Sequence, residues 1–383
     1  MDCKKIFEAV DSLEKEYINV WVDVASIESP TDFKEGVDKV GAYIMDIAKA
    51  HGWEIEINKQ PVSGDAVCIT MNSDAKKAPV AISGHIDTVH PVGLFGYPPV
   101  KIEDGKIYGP GVNDCKGGVV AGLLAMHALE KCGYTERPVK LILQTDEEVS
   151  SITSNKETVK FMAEKAKDCI AFLNCECAGR GKLTVIRKGI VRYVFEITGQ
   201  TAHSSRCFEG KSAIYEAAHK IIELEKWKSD DGITCNCGVI TGGTVANTVA
   251  GNCTFIADIR YPDAKAFEEV QKKVEEVANT SYIGGTTCSV TIKSQRVAME
   301  KCDRNFELLE RISKIYVENG FEAQEAVKGN GGSDAADMTY YGIPAVDGTG
   351  TRGGYIHSKE EYGFVDSLAE AAKKLAAIVN CID

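Results

Sequence analysis

The sequence predicts an α/β protein in two parts. One is a discontinuous domain with a mostly parallel mixed sheet flanked by helices, and the other is an inserted α+β domain of ferredoxin-like order. Two observations carry this expectation. Over residues 1–187, short apolar runs alternate with segments of helical period, the pattern of a sheet covered by helices. Over 188–298 the order becomes β-α-β-β-α-β, and over 299–383 the first pattern resumes.

The chain opens on an amphipathic helix, with Ile6, Phe7, Val10 and Leu13 at helical spacing. Phe33, Val37, Val40, Ile44 and Ile47 form a second stripe. Thr31, after Pro30, is expected to cap that helix, and Gly52 to end it. Strands are expected near 53–58, 65–71 and 79–84, then a helix over 118–131, a strand at 139–144, a helix over 155–167 and a buried strand over 169–174. In the insertion the expected elements are strand 190–198, helix 211–228, strands 235–241 and 252–261, helix 264–280 and strand 287–293. A helix over 304–319, a glycine-rich turn at 329–332, a strand at 343–347 and a helix over 366–379 complete the first domain. No internal repeat or low-complexity segment breaks this plan.

Composition narrows the function. The 383 residues carry a net charge of −12, which argues against nucleic acid as a partner, since phosphate binding wants a basic surface. No segment approaches the roughly 18 apolar residues of a membrane span, and the N-terminus has no export signal. A cytoplasmic protein is therefore expected, and its 14 scattered cysteines read as reduced, mostly buried thiols.

The residues that carry chemistry lie at the ends of expected strands, where ligands sit in such sheets. His85 and Asp87 are spaced i, i+2, so in extended chain both side chains point one way. Asp87 could then accept the second ring N–H of a metal-bound His85; the same pair could equally be a loop contact. Asp114 stands in a glycine-rich turn, where an Asx-turn is the plain reading; its two oxygens could also bridge two ions. Glu147 and Glu148 end the strand at 139–144, where one could bind metal and the other serve as general base, or both could be solvated acids. Glu176 sits between Cys175 and Cys177, whose thiols should point away from it in extended chain and serve packing. A Cys-x-Cys zinc site would need Cys235 and Cys237 as partners and is disfavoured. His357 follows Gly353-Gly354-Tyr355-Ile356. Of the other histidines, His127 and His219 fall in helices and His51 near a helix end, while His90 is close enough to line the site. Imidazole with several carboxylates suits one or two divalent ions of the zinc type.

Seven segments together resemble the glutamate carboxypeptidase, acetylornithine deacetylase and succinyl-diaminopimelate desuccinylase family of co-catalytic zinc hydrolases. They are Gly84-His85-Ile86-Asp87-Thr88-Val89, the run from Tyr108 to Gly118, Thr145-Asp146-Glu147-Glu148, the run from Gly199 to Ser205, Asp258-Ile259-Arg260-Tyr261, the run from Gly331 to Ala336, and Tyr355-Ile356-His357-Ser358. Pro91-Val92-Gly93 and the Gly-Gly-Ser-Asp-Ala-Ala run resemble the glutamate carboxypeptidase branch most. The resemblance implies two Zn²⁺ ions per subunit, with Co²⁺ or Mn²⁺ as substitutes. It implies that Asp114 bridges them, that His85 and Glu176 complete one ion's shell and Glu148 and His357 the other's. It makes Glu147 the general base, Asp87 the partner of His85, and the Asp114–Cys115 peptide cis. Cys115 departs from the family, which often has methionine or a second acid there.

The expected activity is hydrolysis of a peptide amide that releases an amino acid with a free carboxylate; the alternative is deacylation of an N-acyl amino acid. A catalytically silent binding protein is a third reading, against which the intact Glu147 argues. In related enzymes the residue matching His203 reaches the partner subunit's active site, which implies a homodimer through the inserted lid domain. Arg260, Asn247 and Arg296 are candidates to hold the substrate carboxylate, with Gly332 supplying backbone contacts.

Overall fold

The computed structural model describes residues 1–329 and 331–383. The chain divides into two compact units. One comprises Met1–Ile186, Lys301–Gly329 and Ser333–Asp383; the other comprises Arg187–Glu300 with Gly331 and Gly332. Each closes around its own apolar core.

The first unit is built on an eight-stranded mixed sheet. Its strands run in the order Glu54–Asn58, Ala66–Met71, Val139–Gln144, Val80–His85, Ala171–Asn174, Ala345–Asp347, Lys182–Arg187 and Glu325–Gly329. Parallel pairing joins the four strands Val139–Gln144, Val80–His85, Ala171–Asn174 and Ala345–Asp347. Glu54–Asn58 and Ala66–Met71 on one side and Lys182–Arg187 on the other join antiparallel. Every residue of Ala66–Met71 and Val80–His85 is buried, as sheet strands covered by helices require.

Helix Lys116–Lys131 packs against helices Cys3–Ser26 and Asp366–Cys381 and lies beside strand Val80–His85. It is apolar nearly all round, and its first turn is glycine because nothing larger fits. A Cβ on Gly118 would lie 2.0 Å from the Cys175 carbonyl oxygen, and one on Gly117 2.5 Å from that of Val112. That approach brings the loop holding Asp114 against the strand end that leads to Glu176.

Two expectations are corrected here. Thr31 caps nothing: helix Lys34–Ala50 starts after Phe33 without a side-chain cap, and the Thr31 hydroxyl instead donates to Asp87 Oδ2 at 2.7 Å. A second, four-stranded sheet also went unread, in the order Gly353–Gly354, Tyr362–Phe364, Lys106–Tyr108 and Lys101–Glu103. Strands of two or three residues carry no period to read. This sheet matters because its two central strands flank the loops that hold His357 and Asp114.

The second unit is a four-stranded antiparallel sheet with two helices, Ala213–Leu224 and Ala264–Asn279. Its strands run in the order Thr234–Gly242, Asn252–Tyr261, Gly189–Thr198 and Thr287–Arg296, the ferredoxin-like arrangement. Strict alternation along Asn252–Tyr261 buries Phe255, which stacks on Phe195 at 4.5 Å. All 14 cysteines are free thiols. Among the described residues no helix is long and apolar enough to cross a membrane.

Candidate metal centre

The parallel strands deliver their last residues to one edge of the sheet. His85 closes strand Val80–His85, Glu147 and Glu148 form a 3₁₀ turn just after Val139–Gln144, and Glu176 comes two residues after Ala171–Asn174. Asp114 precedes helix Lys116–Lys131, across a cis peptide to Cys115. His357 comes from the loop between strands Gly353–Gly354 and Tyr362–Phe364, in the left-handed region at φ 61°. A non-glycine residue held there costs about 1–3 kcal/mol, and such residues cluster at functional sites.

These five ligand candidates meet around Asp114. One carboxylate oxygen, Oδ1, lies 3.1 Å from His85 Nε2, which is in turn 3.6 Å from Glu176 Oε1. The other, Oδ2, lies 3.1 Å from His357 Nε2, which is 3.3 Å from Glu148 Oε2. Two donors on one tetrahedral zinc at its usual bond lengths are about 3.3 Å apart. The observed spacings match that figure twice, once on each side of Asp114. The two sides differ in access: the His85 side chain is 1% exposed and that of His357 54% exposed. The His357 side therefore faces solvent and a substrate's approach.

Electrostatics fit the same reading. Burial would raise the Asp114 carboxyl, but hydrogen bonds from His357 and His85 hold it well below the usual range. Burial pushes Glu148 up to about 7 against the pull of His357, and burial with the nearby Asp114 charge raises Glu176 well above its ordinary value. The hydrogen bonds to Asp114 and Glu148 raise His357 to about 10. With its rings neutral and its carboxylates ionised, as metal ligands must be, this set of three carboxylates and two imidazoles carries an excess of negative charge. A divalent cation relieves that excess, and imidazole and carboxylate are the donors zinc, cobalt and manganese accept.

A surrounding layer aims these ligand candidates. His85 Nδ1 lies 3.0 Å from the Asp87 backbone carbonyl oxygen and 3.5 Å from Asp87 Oδ1. The backbone, more than the Asp87 carboxylate, sets the His85 ring. The Asp87 side chain does something the sequence did not show: it accepts from the backbone N–H of Glu147 at 3.2 Å and of Glu148 at 3.3 Å, with Thr31 on its Oδ2. Asp87 thus positions the proposed base and a ligand candidate together.

Sequence reasoning missed Glu361 altogether. It is fully buried, and its Oε1 accepts from the backbone N–H of Asn113 at 2.9 Å and of Asp114 at 3.0 Å. Its Oε2 lies 2.7 Å from His90 Nε2 and accepts from Gly111 N–H at 3.3 Å. Glu361 therefore cradles the turn that presents Asp114, and His90 backs it without reaching the ligands. An acid four residues past His357 has no signal that separates it from a solvated one. Cys115 is buried, its Sγ 3.0 Å from the His85 backbone nitrogen, and burial raises its thiol well above the ordinary value, which makes it inert. Cys177 does not point away as extended chain suggested: its Sγ lies within 4.8 Å of ligand atoms of Asp114 and Glu176.

The model of peptidase family M20/M25/M40 matches residues 81–380, which include all five ligand candidates. The chain belongs to this family. Its M20 membership makes it a metal-dependent hydrolase of peptide or related amide bonds. Carboxypeptidase G2 of Pseudomonas sp. (strain RS-16) is 26% identical over 98% of this chain and 91% of its own length. Acetylornithine deacetylase of Myxococcus xanthus is 26% identical over 82% of each chain. The crystal structure of aminopeptidase PepT from Bacillus cereus shares the fold, with a TM-score of 0.80 at 22% identity over 96% of this chain and 98% of that one.

The other named candidates of the M20 chain belong to the second unit. His203 caps a 3₁₀ segment, Ser204–Glu209, with Nδ1 accepting from Ser205 N–H at 3.2 Å. Asn247 is its neighbour, its carbonyl accepting from Ser204 N–H at 2.9 Å. Arg260 forks onto Asp258 at 2.6 and 3.3 Å, so a substrate carboxylate would compete with that partner. Arg296 is buried and packs on Gly332, whose added Cβ would lie 2.7 Å from Arg296 Cδ.

Proposed function

We propose that the protein is a zinc peptidase of the carboxypeptidase or dipeptidase type, holding two ions per subunit that Co²⁺ or Mn²⁺ can replace. The divided carboxylate of Asp114, with ligand-like spacing on both sides, carries this reading. His85 and Glu176 would hold the inner ion, Glu148 and His357 the outer, and Asp114 would serve both. When bound, such ions supply a Lewis acid and lower the pKa of a water, to about 7 in the best zinc case. Glu147 takes the proton of the attacking water and returns it to the leaving nitrogen, acting first as base and then as acid. The Asp87 contacts to the Glu147 and Glu148 amides keep that carboxylate beside its neighbouring ligand.

The substrate is a small peptide with a free carboxylate, for which Arg260, Asn247, Arg296 and Gly332 are the proposed contacts. N-acyl-amino-acid deacylation is the second reading, favoured by the likeness to an acetylornithine deacetylase over 82% of the chain. A mass-spectrometric screen of the zinc-loaded enzyme against dipeptides, γ-glutamyl amides and N-acyl amino acids decides between them. Turnover of one class is expected, lost on dialysis against a chelator and restored by zinc, cobalt or manganese. Turnover that survives complete metal removal would overturn the metal mechanism.

Residues 188–298 are proposed as lid and dimerisation domain, with His203 serving the partner subunit's site. The support is apolar side chains left exposed in that unit, among them Ile214, Tyr215, Ile222, Val239 and Ile240. Sedimentation should give a dimer mass, and Ile240→Glu should shift it towards the monomer with loss of activity. A monomeric, fully active protein would end the cross-subunit role. The 14 free thiols favour the cytoplasm as its location.

A further inference from the structure

A second group of metal-ligand side chains lies away from the centre just described. His51, the C-cap residue of helix Lys34–Ala50, meets His127 and Glu130 of helix Lys116–Lys131, and one donor atom from each lies within 4.8 Å of the others. His127 is thirteen residues from Asp114, about 20 Å at the helical rise, so the two groups cannot share an ion. We propose that His51, His127 and Glu130 form an additional binding site for a divalent cation of the zinc type. Two imidazoles and a carboxylate are a common zinc donor set with a position left for water.

The arrangement around the three donors supports an ion over a plain contact. The Tyr17 hydroxyl lies 3.1 Å from His127 Nδ1 and orients that ring. The Trp53 indole N–H donates to Glu130 Oε1 at 2.7 Å, leaving Oε2 facing His51 Nδ1 at 2.5 Å. His127 and Glu130 are thus each oriented by an outer partner, as metal-binding histidines and carboxylates usually are. Burial and the neighbouring His51 lower the His127 pKa, which favours the neutral ring that can donate a lone pair. Opening the His51–Glu130 contact from 2.5 Å to about 3.3 Å admits the ion. The ion would tie the end of helix Lys34–Ala50 to the end of the helix whose first turn follows Asp114.

The test is a metal count on the whole protein after equilibrium dialysis against micromolar zinc. His127→Ala and Glu130→Gln should each bind one ion fewer per chain than the wild type. Asp114→Asn should lose ions from the catalytic centre and keep this one, so the two sites report separately. Equal counts in wild type, His127→Ala and Glu130→Gln would overturn the proposal. Histidine acylation of the wild-type protein, read by mass spectrometry, needs no variant to fold. Zinc should protect His51 and His127 from the reagent, and equal modification with and without zinc would also overturn it.

Discussion

Glu147→Gln should bind its metal ions as the wild type does and lose about 100- to 10,000-fold in kcat, the usual contribution of a positioned proton-transfer group. Glutamine keeps the shape of the side chain but cannot take a proton from water at neutral pH. The backbone N–H of residue 147 still reaches Asp87, so the turn and the adjacent ligand Glu148 stay in place. Elemental analysis and steady-state kinetics on one sample check both halves. Loss of metal together with activity would recast Glu147 as a ligand, and near-normal kcat would remove it from the chemistry. The same split separates it from Asp87, whose replacement should disturb kcat and metal affinity together.

Glu361→Gln should weaken metal binding by about 10- to 100-fold without touching a ligand, the usual cost of removing an outer partner. The carboxylate meets four donors, the amides of Gly111, Asn113 and Asp114 and the His90 ring, and all are buried. A glutamine amide turns one acceptor oxygen into a donor, which leaves part of that set facing N–H groups. Leaving a buried donor without its acceptor costs about 1–3 kcal/mol. Chelator competition should report the weaker affinity and thermal unfolding the lower stability. Glu360→Gln, one residue away but exposed, is the control and should change neither. Wild-type metal affinity in Glu361→Gln would mean that the Asp114 turn holds itself.

Much of the candidate ligand set was legible because the family's motifs are local. His85 with Asp87, Asp114 in its glycine turn and Glu147 with Glu148 each read from a few neighbouring residues. Long elements were legible for the same reason: strands Val139–Gln144 and Asn252–Tyr261 have the limits their apolar patterns indicated. What stayed hidden depends on contacts between distant positions. Glu361 meets Asp114 across 247 residues, and Thr31 meets Asp87 across 56. A single sequence records neither, and a threonine before a helix reads as a cap. The short strands around His357 were illegible because two residues cannot display a period.

The unit that holds the ligand candidates is interrupted in the chain by residues 187–300, and this dictates an order of assembly during synthesis. The ribosome delivers His85, Asp114, Glu147, Glu148 and Glu176 first, then the whole intervening unit with its own core. At about 5–20 residues per second that unit has time to fold while the first segment waits. Strand Ala345–Asp347, which pairs with Ala171–Asn174, and helix Asp366–Cys381, which packs on Lys116–Lys131, arrive last, and with them His357 and Glu361. A nascent chain stalled before residue 345 thus holds most of its metal donors with neither the outer histidine nor the carboxylate that seats Asp114. Any peptidase activity would be switched on only as the last few dozen residues are added.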